Sequence, residues 1–299
     1  MSDRILLKKP LSISSFTNIK EIKDKFNEWF VKPPFSGKLP IKHSPITEKP
    51  QLLGTAFDYL LRFKIQYLDS KAIDKHWVAE KALLGLKVRL VTKNYTPKAN
   101  KQSIESWLEE GEPLIAFAEG NYSHFLKDGK ITKDLLRSCF HLAKMDGFYR
   151  PGYITGRIDN VSPKDTQDLQ SLIGNIKMEQ FQAKELCLLN PTFSNATKIT
   201  GIKADADLVL DDTLIDIKTV KNLKFERKMF NQVMGYYLLS KIGGIDGAPE
   251  DHEIHKIAIY FSRYEYLHVI NIKDVFDQSK LRSILDWVID KGKEISGLK

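Results

Sequence analysis

The sequence predicts an α/β fold, with a mixed central sheet flanked by helices in its C-terminal third and a large helical block ahead of it. Three observations carry this. Apolar residues recur at helical spacing through most of residues 12–190. After Asn190-Pro191 the pattern changes to short bursts of Ile, Leu and Val at 206–221, 256–262 and 266–272, each a strand signal. Helical periodicity returns at 225–242 and 279–296, so strands and helices alternate.

Taken in order, residues 12–31 place Phe16, Ile19, Ile22, Phe26 and Phe30 on one face of a helix after a Ser-rich start. The frequent prolines of "KPPFSGKLPIKHSPITEKP", residues 32–50, exclude regular helix and favour an extended surface loop. Helical spacing resumes at 51–68, with Phe57, Leu60, Leu61 and Ile65 on one side, and continues in segments 71–92, 103–119, 131–146 and 165–189. "TKNYTP" and "GFYRPGY" interrupt it. The last helix carries Leu281, Ile284, Leu285, Val288 and Ile289. This reading divides the chain into an N-terminal helical part (1–64), a helical insertion (65–190) and an α/β core (191–299), with no internal repeat or low-complexity tract.

With 299 residues and 42% hydrophobic composition, the chain has enough apolar material for a substantial core. Its net charge of +8 suits a polyanionic partner such as DNA or RNA. Cys139 and Cys187 are the two cysteines, far apart and without CxxC spacing, so neither a disulfide framework nor a zinc or iron–sulfur site is expected. No run approaches the roughly 20 apolar residues of a membrane span, and "MSDRILLKKP" lacks the apolar centre of a signal peptide. The expected location is the cytoplasm, with no membrane partner.

Against this basic background, "ADADLVLDDTLIDIKTVKN", residues 204–222, gathers five aspartates. Two strands, Leu208–Leu210 and Thr213–Ile217, joined by Asp211-Asp212, would form a hairpin that sets Asp207 opposite Asp216. Asp205, two residues back on the same face, is the alternative to Asp207. A period of two puts Leu214, Asp216 and Lys218 on that face, with Ile215, Ile217 and Thr219 on the other. Carboxylates about 5 Å apart repel by roughly 3 kcal/mol at an effective dielectric near 20, so a cation between them is expected. Mg²⁺ fits, because it takes one or two carboxylates and completes its shell with water and phosphate oxygens. On the plainer alternative Asp211 and Asp212 are turn residues, and Lys218 guards a sheet edge.

"ADADLVL…LIDIKT" resembles the core motif of the PD-(D/E)XK nucleases, with Asp207 as the first acid, Asp216 as the second and Lys218 as the lysine. In "FNQVMGYYLLS", Gln232 and Tyr236 stand at i and i+4 on one helical face and resemble the Gln-xxx-Tyr element of the RecB-like branch. "LLGTAFDYLLRF" resembles that branch's first motif, with Asp58 where many members carry a histidine. The resemblance implies a restriction-endonuclease-like core interrupted by the helical insertion, and a metal-dependent nuclease acting on DNA in repair, recombination or defence. It implies Mg²⁺, with Mn²⁺ as a substitute, held by Asp207, Asp216, the carbonyl of Ile217 and either Asp58 or a helical Glu185. The four-cysteine cluster of some relatives is absent, so no iron–sulfur centre is expected.

By the same resemblance, Lys218 would orient or help deprotonate the attacking water, and Gln232 and Tyr236 would line the strand-binding face. Exonuclease or endonuclease action stays open, as does an RNA substrate. No Walker A motif is present, so any ATP-driven step would need a separate helicase-like partner. A non-catalytic nucleic-acid-binding module with the same fold is the rival expectation.

Overall fold

In a computed structural model of the chain, which describes residues 11–74, 77–95, 100–149 and 159–298, the alternation of apolar side chains along the strands sets the architecture. The elements run β1 (Leu11–Ser12), α1 (Ile13–Asn18), α2 (Lys20–Trp29), α3 (Pro50–Leu68), α4 (Val78–Thr92), α5 (Lys101–Asp128), α6 (Lys133–Tyr149) and α7 (Pro163–Gly174). There follow β2 (Cys187–Leu189), α8 (Ser194–Thr200), β3 (Ile202–Lys203), β4 (Leu208–Leu210), β5 (Thr213–Lys218), α9 (Arg227–Gly243), β6 (Lys256–Phe261), β7 (Tyr266–Asn271) and α10 (Leu281–Ser296). The main sheet has the order β2-β4-β5-β6-β7. Only β5 and β6 pair in parallel, through the α9 crossover, and the other neighbours are antiparallel. β1 and β3 form a separate parallel pair.

Both faces of this sheet are covered. Leu189, Leu208, Leu210, Ile215, Ala258 and Tyr260 join a core built with α3, α4, α5, α6 and α7. Leu188, Val209, Leu214, Ile257, Ile259 and Phe261 point the other way, into a core with α1, α2, α8, α9 and α10. The result is a mixed α/β fold in three layers. Among the described residues no helix is long and apolar enough to cross a membrane.

Several elements depart from expectation. The helix expected over 12–31 is two helices, because Ile19 takes an extended conformation (φ −63°, ψ 134°). The side chains of Thr17 and Asn18 bond the carbonyls of Ile13 and Ser14 at the end of α1, the local competition that ends helices. α5 runs past 119 to Asp128, where Gly129 at φ 68° caps it. The helix expected over 165–189 ends at Gly174, and Cys187–Leu189 is a strand. A strand buried on both faces lacks the polar alternation that would mark it, and three residues give no periodicity.

The division at 190/191 therefore leaves β2 outside the core whose sheet it joins, and the division at 64/65 cuts α3. The N-terminal "MSDRILLKKP" lies outside the described residues, as do parts of "TKNYTP", "GFYRPGY" and the segment 71–92.

The Pro-rich loop is extended, but its second half is tied down. Backbone N–H groups of Ile46 and Thr47 donate to Asp168 Oδ2 at 2.8 and 2.9 Å. Arg263 grips the same carboxylate through two contacts of 2.9 and 3.1 Å and also donates to the His43 carbonyl. Thr47 and Lys49 bond Asp165 at the N-terminal turn of α7. This strap delivers the chain into Pro50, the first residue of α3.

Candidate active site

The hairpin comes first, because it sets the register. Asp211 sits at φ 49°, a left-handed conformation that Asp tolerates in a tight turn. Its carboxylate accepts the backbone N–H groups of Lys184, Glu185 and Leu186, and Asp212 accepts from Lys256 at 3.0 Å. Two of the five aspartates are thus structural. The turn aligns Leu208 with Ile215, so the next pair outward is Asp207 and Asp216. β5 lies in the middle of the sheet, and Lys218 therefore guards no edge.

Beyond the end of β4, Asp207 Oδ2 accepts the N–H of Ile217 at 2.5 Å. In an antiparallel ladder the N–H and C=O of one residue point to the same side, so the Ile217 carbonyl also faces this end of β4. Lys218 Nζ lies 2.6 Å from Asp216 Oδ2 in an ion pair, and Asp216 is 2% exposed. The same ammonium donates to Gln232 Oε1 at 3.5 Å. Gln232 Nε2 in turn donates to the Tyr236 hydroxyl at 2.7 Å. The Tyr236 ring stacks on Phe193, with centroids 5.9 Å apart and an interplanar angle of 1°.

Asp58 approaches from α3. That helix passes the end of β5 closely, since a Cβ on Gly54 would lie 3.8 Å from Thr219 Cβ. Asp58 Oδ2 is held by Arg62 at 3.1 and 3.0 Å, and its charge reaches Asp207. Among the described residues no three His, Cys, Asp or Glu side chains converge as a ready ligand cluster.

Glu185 is placed differently from the expectation. It lies in the loop before β2 rather than on a helix, is exposed, and is bonded through its backbone to Asp211 at the turn. That is the opposite end of β4 from Asp207, so Glu185 does not join the acids. Asp205 bridges to Thr192 through the backbone, outside the acid pair.

The electrostatics follow from this crowding. Burial, then the charges of Asp216 and Asp58, push the Asp207 carboxyl well above the usual carboxylate range, and Lys218 and the Ile217 N–H offset this only in part. Burial acts against the Lys218 ammonium, but Asp216 and Asp207 overcome it and hold the group above its ordinary value. Burial together with Asp216, Asp207 and Asp205 pushes the Tyr236 phenol well up, so it stays neutral and able to donate. The acids are therefore under-neutralised by the protein's own cations. Two carboxylates and a backbone carbonyl are hard oxygen donors, the set Mg²⁺ or Mn²⁺ takes.

Sequence reading missed Arg62, Asp74 and Phe193. Arg62 carried a signal, since Asp58 and Arg62 are four apart on a helix. Phe193 carried none. Both cysteines are buried thiols, and burial pushes Cys187 up to about 12. Set against protein-family models, curated proteins and solved structures, the chain matches none.

Proposed function

We propose that this chain is a metal-dependent nuclease of the RecB-like PD-(D/E)XK type, with a restriction-endonuclease-like core, that hydrolyses DNA phosphodiester bonds. The observation that supports it is the meeting of Asp207, Asp216 and Lys218 at the end of the two central strands, with Gln232 and Tyr236 bonded behind the lysine. Asp207, Asp216 and the Ile217 carbonyl would hold Mg²⁺ or Mn²⁺, with Asp58 as the third carboxylate. Such an ion, when bound, supplies Lewis-acid polarisation of the phosphate and a water of lowered pKa.

The chain's own groups have separate tasks. Lys218, kept charged by Asp216 and Asp207, donates to the non-bridging phosphate oxygen or to the attacking water, and acts as a donor rather than a base. Gln232 fixes the direction of the Lys218 ammonium. Tyr236, neutral and stacked on Phe193, fixes Gln232.

The test incubates wild type, Asp216→Asn and Lys218→Ala with labelled linear and circular DNA, and with RNA, in Mg²⁺, Mn²⁺ or EDTA. Cleavage by wild type in metal alone is expected, with each variant slower by roughly 100- to 1,000-fold and nucleic-acid affinity nearly unchanged. Cleavage of RNA but not DNA would redirect the substrate assignment. Binding without cleavage by wild type in either metal would overturn the nuclease reading in favour of a binding module.

A further inference from the structure

Arg62 is a guanidinium placed where a helix would ordinarily carry an apolar side chain. It is 1% exposed, on a face of α3 that packs into the helical core beside Tyr59. Burying such a group costs more than burying a methionine of similar reach unless its partners compensate. Its partners come from α3 itself and from the segment that follows it. Nε and one terminal nitrogen hold Asp58 Oδ2 at 3.1 and 3.0 Å, and the other terminal nitrogen reaches Asp74 Oδ2 at 3.2 Å. The guanidinium also lies 4.4 Å from the Tyr59 ring, whose hydroxyl donates to Asp146 at 2.7 Å.

We propose that Arg62 is a positioning residue. It holds the Asp58 carboxylate, whose charge acts on Asp207, on its face of α3, and so sets how tightly the site takes a divalent cation. The proposal rests on the metal-dependent reading above. The chain of contacts is Asp74 to Arg62 to Asp58, and Asp58 is one of the charges that act on Asp207. An arginine is charged at any working pH, so the fork that grips Asp58 does not switch with protonation. Two nitrogens of a rigid, planar guanidinium on Asp58 Oδ2 fix where that oxygen lies more narrowly than the rotating ammonium of a lysine would. Groups that orient a metal ligand typically govern affinity by 10- to 100-fold.

The test measures Mn²⁺ binding to the full chain by calorimetry or by the loss of the free-ion paramagnetic resonance signal. It compares wild type, Arg62→Lys, Asp58→Asn and the double variant, with a thermal melt of each to establish folding. Arg62→Gln, which keeps hydrogen-bonding capacity and removes the charge, serves if Arg62→Lys does not fold.

Arg62→Lys is expected to weaken Mn²⁺ binding by about 10-fold or more, and to add less than about 2-fold once Asp58 is Asn. Equal losses in both backgrounds, or no loss in the first, would overturn the positioning role while leaving the metal-dependent reading intact. Failure of wild type to bind Mn²⁺ would remove both. A merely structural arginine would lower the melting temperature of both backgrounds and leave the Mn²⁺ affinity of the folded fraction alone.

Discussion

Asp207 shows at one residue how the proposed site trades stability for charge. Its folded carboxyl titrates well above the unfolded value, so the folded state holds the proton more tightly than the unfolded chain does. Stability contributed at this position therefore falls as pH rises from the unfolded carboxylate value toward the folded one, so the position is a net cost once pH is above the unfolded value. Asp207→Asn is expected to stabilise the metal-free protein at neutral pH by on the order of 1 kcal/mol, about 2 °C in melting temperature. Calorimetry in EDTA checks it. A fall in melting temperature would mean that the bond from the Ile217 N–H outweighs the repulsion. Adding Mg²⁺ should raise the wild-type melting temperature and leave that of Asp207→Asn nearly still. Asp207, Asp216 and Lys218 were legible in the sequence because a hairpin has a fixed register and a strand a fixed period. Arg62 was not read as part of the site, because an apolar helix face hides a buried charge until its partners on other elements are known.

At the scale of elements, the strap over residues 42–49 fixes where α3 begins, and with it where Asp58 stands. Arg263 and Asp168 are both buried, at 2% and 0% exposed, and Asp168 also holds two backbone N–H groups of the loop. Asp168→Asn would leave a guanidinium buried without its counter-charge, and should destabilise the fold by roughly 3–5 kcal/mol. Denaturant unfolding measures this. Burial opposes ionisation of Asp168 and Asp165, but Arg263, Thr47 and their other donors hold both carboxyls below their usual value. Their stabilisation is thus complete above about pH 4 and is lost as pH falls through the folded values. Acid unfolding of wild type should begin below that point, and the Asp168→Asn variant should show a shallower acid limb. None of this was visible in a Pro-rich stretch read as surface loop, because the partners lie more than a hundred residues away in sequence. The same distance hid β2: its strand character comes from pairing with β4 and from Ile73 beside it, and three buried residues carry too little pattern to reveal it.

On the scale of the whole molecule, the fold class was legible because both determinants leave a pattern: bursts of Ile, Leu and Val at β4 and the three six-residue strands of the C-terminal third, and helical spacing before them. How the helical block sits was not, since nothing in residues 65–190 says that α4, α5, α6 and α7 cover the sheet face opposite α9. The sum of charges, unlike the layer arrangement, is fixed by composition alone. The chain carries an excess of +8 and the proposed site is built on acids, so on the proposed reading a polyanion would be drawn by surface lysines and arginines rather than by the site itself. Binding should then behave as counterion release. If about six phosphates are neutralised, affinity for a DNA oligonucleotide should fall roughly 1,000-fold between 50 and 200 mM salt, with a log–log slope near −5 for duplex. Lys218→Ala removes one half-buried cation already paired with Asp216, so it should leave that slope unchanged while removing cleavage. Fluorescence anisotropy titrations in EDTA at several salt concentrations measure the slope directly. A slope near zero would mean that the basic excess is an ordinary solvated surface, and the proposal of a nucleic-acid substrate would lose its electrostatic support even with the acid pair in place.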